Sequence, residues 1–230
     1  MKLFFLLFED AQQEMVIKKI GAELEKISRS FGGEGNHDFL LTKQRYFLKK
    51  IGLLIKGEGA DREVYGSDKI NFVIKLSLYS TEQNYNEIRR WECAKENGAI
   101  NCLANIIDYG TDYSWIIMEK ATKIWNYKSD RREIYSLMEK SIGLPENIQI
   151  TSKEDFEYLV KKFSNKPLRG MESKENIDQA IEFLKQNGLS SWFQNFIDNV
   201  KECELNVTDF HHGNWGLMSD GRFVLIDYGF

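Results

Sequence analysis

Proline is scarce in this chain: Pro145 and Pro167 are the only two in 230 residues. That excludes a proline-rich linker. Cysteine is nearly as scarce. Cys93, Cys102 and Cys203 are odd in number and not at metal-ligand spacing, so a reduced, cytoplasmic setting is expected. Neither sign of charge dominates, with 31 Lys and Arg against 35 Asp and Glu and a net charge of -4. No basic field would draw the chain onto nucleic acid or an anionic membrane, so neither is expected as a partner. Long apolar runs are also lacking. Met1 to Phe8 is apolar, but Glu9 and Asp10 follow at once and no small-residue cleavage site appears. The run falls far short of the roughly 20 residues that span a bilayer. It is expected to be a helix or strand packed on the body.

What is present is the balance of an ordinary soluble globular protein, 42% hydrophobic and 29% charged. The length suits one large domain or two small lobes. There is no internal repeat. Val16, Ile17, Ile20, Leu24 and Ile27 recur at helical spacing, which predicts a helix over residues 11–29. Phe31 to His37 reads as a loop. From Phe39 to Met118 the chain reads mostly as strands. In the most regular of these, Ile70, Phe72, Ile74, Leu76 and Leu78 point one way, while Asn71, Val73, Lys75 and Ser77 point the other. A helix is expected over Thr81 to Glu96 with Thr81 as its N-cap, then strands near 105–109 and 114–119. Helices follow Ala121, including a stripe of Leu189, Trp192, Phe193, Phe196, Ile197 and Val200. The tail predicts a hairpin, Trp215 to Met218 and Arg222 to Ile226 about a Ser219-Asp220-Gly221 turn. Strands first, helices later and a late hairpin predict an α+β chain. Its expected parts are an N-terminal helical extension (1–38), a sheet-bearing lobe (39–120) and a helical lobe (121–230).

Four groups of residues suggest chemistry. Gly57 and Gly59 lie between two strands, where backbone without Cβ can approach a phosphate; a plain hairpin turn is the alternative. Lys75 shares a strand face with Val73, which suits a point charge on phosphate oxygens or, equally, a solvated lysine. Glu87 on the next helix could orient that ammonium, with Glu82 and Glu92 as rivals. The tail carries the most. Asp209 and Asn214 share one loop, and the hairpin after it should return Asp227 beside Asn214. A carboxylate and an amide oxygen suit magnesium that is also bound to phosphate, leaving Asp209 to take a proton from a hydroxyl.

These residues resemble the protein-kinase-like superfamily. Asp209 and Asn214 are similar to its catalytic loop of Asp, four residues, Asn, and Asp227-Tyr228-Gly229 to its Asp-Phe-Gly metal motif. Gly57, Gly59 and Val64 match most of its glycine loop, with Arg62 where the third glycine is usual. Val73 and Lys75 match the strand lysine motif, and Ile117-Met118-Glu119 resembles the last strand before the adenine hinge. The resemblance runs from about Ile51 to Phe230 and leaves 122–187 unmatched. Asp209-Phe-His-His-Gly-Asn214 is closer to aminoglycoside phosphotransferases and other atypical kinases, and tails of this kind also resemble kinases carried by bacteriophages. His211 and His212 read as structural.

The resemblance implies a two-lobed kinase-like fold that binds ATP and magnesium and moves the γ-phosphoryl group to a hydroxyl, by expectation a protein serine or threonine. Gly57, Gly59, Val64, Val73, Lys75, Met118, Glu119 and Ala121 would hold the nucleotide. Lys75 and Glu87 would act with Asp209 in catalysis, and Asn214 and Asp227 would hold the metal. The chain stops at Phe230, just past the metal motif, so the fold is expected to be truncated. The acceptor side would then come from residues 123–185, the N-terminal helices or a partner chain. The rival expectations are a nucleotide-binding regulator that transfers nothing and a small-molecule phosphotransferase.

Overall fold

The structure is a computed structural model that describes residues 10–31, 37–59, 61–123, 131–168, 170–207, 210 and 212–229. The apolar start, Met1 to Phe8, lies outside them. The fold is α+β. In chain order come α1 (Asp10–Phe31), α2 (His37–Lys50), β1 (Leu54–Glu58), β2 (Arg62–Gly66), β3 (Phe72–Ser77), α3 (Glu82–Glu96), β4 (Ile106–Tyr109) and β5 (Trp115–Glu119). There follow β6 (Thr122–Lys123), α4 (Arg131–Ile142), α5 (Lys153–Ser164), α6 (Glu175–Asn187), α7 (Ser191–Glu202), β7 (Trp215–Leu217) and β8 (Phe223–Leu225). The chain divides into two compact units, the first holding residues up to Ile88 with Asn105–Lys120 and Gly229, the second holding Arg89–Ala104 and Ala121–Tyr228.

The first unit is built on an antiparallel sheet of order β1-β2-β3-β5-β4. The expected alternation in β3 is present: Phe72, Ile74 and Leu76 are fully buried and share one core with Val16, Ile17, Ile20 and Leu24 of α1. Gly21 is what lets α1 come so close to β4, since a Cβ there would stand 2.2 Å from Asp108 Oδ2. Burial at this contact, ahead of the neighbouring Glu25 charge, raises the Asp108 carboxyl above its ordinary range.

One expectation fails here. Residues 37–50 form α2, not a strand. Its buried stripe is Leu40, Leu41, Gln44 and Leu48, and the polar Gln44 interrupts the apolar period that would have announced a helix. Gln44 is buried because it is satisfied: its Nε2 donates to Ser114 Oγ at 2.8 Å. Leu41 and Leu48 join the same core as α1 and the sheet. At the head of α3, Thr81 stands in the expected N-cap position, its carbonyl accepting from Tyr85 N, and Ser80 Oγ adds a bond from the Glu82 N–H.

The second unit is helical, with a small sheet of order β6-β7-β8. Two of its helices start on side-chain caps: Ser152 accepts from Asp155 N at the head of α5, and Ser190 from Phe193 N at the head of α7. The expected aromatic stripe of α7 is core. Phe196 stacks on Trp192 and meets Phe156 of α5 and Trp215 of β7, and Trp215 stacks on Phe223 at 4.9 Å.

The cysteines also depart from expectation. Cys93, late in α3, is disulfide-bonded to Cys203, just past α7, across a sequence separation of 110. An odd count shows only that one thiol is left over; which two meet is decided by the fold. The remaining thiol, Cys102, is buried, and burial pushes it up to about 12, so it is inert as a nucleophile at neutral pH. Among the described residues, no helix is long and apolar enough to cross a membrane.

Candidate functional site

Within the first unit, the antiparallel ladder places Val64 of β2 directly opposite Lys75 of β3, and Val73 opposite Met118 of β5. Strand alternation therefore gathers Val64, Val73 and Lys75 on the face away from the α1–α2 core. Val64 and Val73 are partly exposed there, while Met118 is buried. Lys75 is only 4% exposed, so it is not the solvated lysine its strand could have carried. Its Nζ donates to both oxygens of Glu87, at 2.8 and 2.9 Å. Glu87 is fully buried, whereas its rivals Glu82 and Glu92 are exposed. A carboxylate taken wholly out of water needs such partners, because an unpaired charge would cost several kcal/mol.

Gly57 lies inside β1 rather than after it, opposite Val64 and at an irregularity in the register. Gly59 N donates to Arg62 O at 2.9 Å and closes the turn into β2. Glu119 ends β5, where its Oε2 accepts from Asn105 N. Gly229 also belongs to this unit, and a Cβ on it would stand 2.3 Å from the Gln83 carbonyl oxygen and 3.2 Å from Glu87 Cβ. Only glycine fits against that turn of α3.

Sequence reasoning missed two features of this unit. Arg62 Nη1 donates to Glu87 Oε2, so the carboxylate that holds Lys75 also holds an arginine. Separately, Arg45 donates to both oxygens of buried Glu63, which also accepts from Tyr65. Burial raises the Glu63 carboxyl, but the Arg45 and Tyr65 hydrogen bonds outweigh it and leave the group below its ordinary range. Burial and the Glu63 bond push the Tyr65 phenol well up. The signal for both features was an arginine or glutamate in an otherwise apolar strand.

Within the second unit, the hairpin does what its turn predicted. Trp215 pairs with Leu225 in register, and Ile226 N donates to Asn214 O at 2.7 Å. The backbone at Asn214 is thereby bonded one residue short of Asp227. Asn214 is buried and Asp227 partly so. Tyr228, where the resembled motif has Phe, is fully buried and its hydroxyl donates to Ala104 O at 2.8 Å. The same residue's carbonyl accepts from Arg90. Ala121 stands beside Gly216, where a Cβ would come within 2.6 Å of its own.

Asp209 and His211 lie outside the described residues. Phe210, between them in sequence, is buried against Phe156, Phe196 and Trp215 in the aromatic core. Among the described residues, no group of three or more His, Cys, Asp or Glu could hold a metal. Asn214 and Asp227 each carry an oxygen of the kind magnesium takes when phosphate and water complete its shell.

No family model matches the chain, and no curated protein does. Among solved structures, it is similar to the streptomycin–ATP ternary complex of APH(2")-IIa, with 13% identity and a TM-score of 0.37 over 82% of this chain and 70% of that one.

Proposed function

We propose that the protein is an ATP- and magnesium-dependent phosphotransferase acting on a hydroxyl acceptor. The observation that carries this reading is the buried pair of Lys75 and Glu87. A lysine on a sheet face, beside valines and behind a glycine turn, has its ammonium fixed by a carboxylate that water does not reach. That arrangement holds an anion in one place and costs little reorganisation when charge develops on it. In this reading Gly57 and Gly59 offer backbone to the phosphates, Lys75 holds their oxygens, and Val64, Val73, Met118, Glu119 and Ala121 serve the adenine end. Asn214 and Asp227 would hold magnesium, which when bound would supply neutralising charge to the phosphates. Asp209 accepts the acceptor's proton as the hydroxyl oxygen bonds to the γ-phosphorus, the bond to the leaving oxygen breaks, and ADP departs. Most of the rate would come from positioning and charge.

The first acceptor to test is a protein serine or threonine. The loop Asp209-Phe-His-His-Gly-Asn214 favours a second reading, a small-molecule hydroxyl. Both are tested by incubating the protein with γ-labelled ATP and magnesium, alone and with cell extract, beside Asp209→Ala and Asp227→Ala. Label on protein that vanishes in both variants supports the first, and label confined to small metabolites supports the second. Losing the base should lower transfer on the order of 10²- to 10⁴-fold. Absence of transfer with ATP binding intact would overturn the enzyme and leave a nucleotide-binding regulator acting through protein contacts.

A further inference from the structure

Arg62 has no role in the reading above, yet it is among the most deeply buried charged residues of the first unit, at 5% exposure. It opens β2 opposite Ser77, two residues before Val64 and its partner Lys75. Alternation puts Arg62, Val64, Lys75 and Ser77 on one face of the sheet, so its guanidinium lies diagonal to the Lys75 ammonium. Across the turn beneath it Gly59 N donates to Arg62 O, a bond that uses the arginine's backbone and not its side chain. A small residue at this position would serve the turn as well and would avoid burying a cation at a cost of several kcal/mol. The side chain reaches Glu87. Arg62 Nη1 donates to Oε2, the same oxygen that accepts from Lys75 Nζ at 2.9 Å.

We infer that Arg62 is a positioning residue for the nucleotide site: it fixes the Glu87 carboxylate, and through Glu87 the direction of the Lys75 ammonium. The inference rests on the ATP-binding reading proposed above. Glu87 sits on a helix and Lys75 on a strand, and both side chains have rotatable bonds. A planar guanidinium on Glu87 Oε2 removes rotamers of the carboxylate that the flexible ammonium alone would leave open. Restricting those rotamers before ATP arrives lowers the ordering cost of binding.

The experiment is a titration of magnesium-ATP into wild type, Arg62→Gln, Arg62→Lys, Glu87→Gln and the Arg62→Gln/Glu87→Gln double variant, each confirmed folded by circular dichroism. Arg62→Gln should bind about tenfold more weakly, and Arg62→Lys, which keeps the charge without the fork, about threefold more weakly. The double variant should bind no more weakly than Glu87→Gln alone, because a residue acting through Glu87 has nothing to add once Glu87 is lost. Wild-type affinity in Arg62→Gln would overturn the inference and leave ATP binding standing. So would additive losses in the double variant, which would put Arg62 on the phosphates directly. Should Arg62→Gln not fold, unchanged affinity in Arg62→Lys overturns it equally. Wild type that binds no ATP overturns the proposed function, and the inference with it.

Discussion

The two units differ most in their central buried clusters, although each also buries the other kind of group, Trp115 in the first and Asp155 in the second. The first centres on ions: Lys75, Arg62 and Glu87 are buried together over one face of its sheet, and buried Glu63 pairs with a partly exposed Arg45 and with Tyr65 in a second cluster. The second buries rings, with Phe156, Trp192, Phe196, Phe210, Trp215 and Phe223 in mutual contact, and adds a covalent link from Cys93 to Cys203. Aromatic burial stabilises without regard to any ligand. A buried ionic group stabilises little for its desolvation cost, so its presence calls for another reason, and fixing an ammonium for phosphate is one. In the proposed reading that reason holds for Lys75 in the first unit, while in the second the hairpin that carries Asn214 and Asp227 at its ends packs against the rings.

The contrast can be broken most severely at Glu87. Glu87→Ala leaves Lys75 and Arg62 without their shared carboxylate and should cost about 3–5 kcal/mol. Hydrogen exchange should accelerate in β2 and β3 and stay slow in α5 and α7. Equal acceleration in both units would erase the distinction. The second unit should answer instead to its cross-link. A disulfide typically contributes about 2–4 kcal/mol, and the 110-residue separation lies toward the long-loop end of that range. Cys203→Ser should lower the thermal midpoint, with faster exchange in the second unit. Thiol titration of the denatured, unreduced wild type should count Cys102 alone; a count of three would restore the reduced chain that the cysteine number suggested.

Smaller effects sharpen the comparison. Tyr228→Phe restores the usual residue of the resembled metal motif but strands the Ala104 carbonyl, at about 1 kcal/mol in a denaturant titration. Acid should weaken both units. Burial raises the Asp155 carboxyl, yet the bonds from Lys174 and Thr151 outweigh it and hold the group below its ordinary value. A carboxyl lowered on folding contributes stability above its unfolded value, near pH 4, and loses it as pH falls through the folded one. Glu63 runs the same way in the first unit. Asp155→Asn should therefore flatten the acid limb of the second unit, followed by tryptophan fluorescence between pH 5 and 2, and leave that of the first unchanged.

Legibility in the sequence followed the same division of physics. The β3 strand could be read because its two faces differ at every step, and the β7–β8 hairpin because Ser219-Asp220-Gly221 is a turn; Gly221 does adopt φ +86° there. The α2 helix could not be read, since Gln44 occupies a core position and hides the period. Arg62 could be read only as a missing glycine, because a sequence shows that an arginine stands in a strand but not which carboxylate lies across it. Cys93 and Cys203 are separated by 110 residues, and no local pattern reports a pairing at that range. Lys75 and Glu87 could be suspected as a pair from a resembled motif, whereas their complete burial came only with the fold.

The most direct test of the central claim is a calorimetric titration of ATP into the wild-type protein with and without magnesium, repeated on Lys75→Met and Asp227→Ala. Wild type should bind ATP more tightly with magnesium. Asp227→Ala should abolish the magnesium dependence, and Lys75→Met should weaken binding by about tenfold or more, the loss of one charge-assisted contact. Absence of ATP binding at millimolar nucleotide with magnesium, or binding undiminished in both variants, would contradict the account.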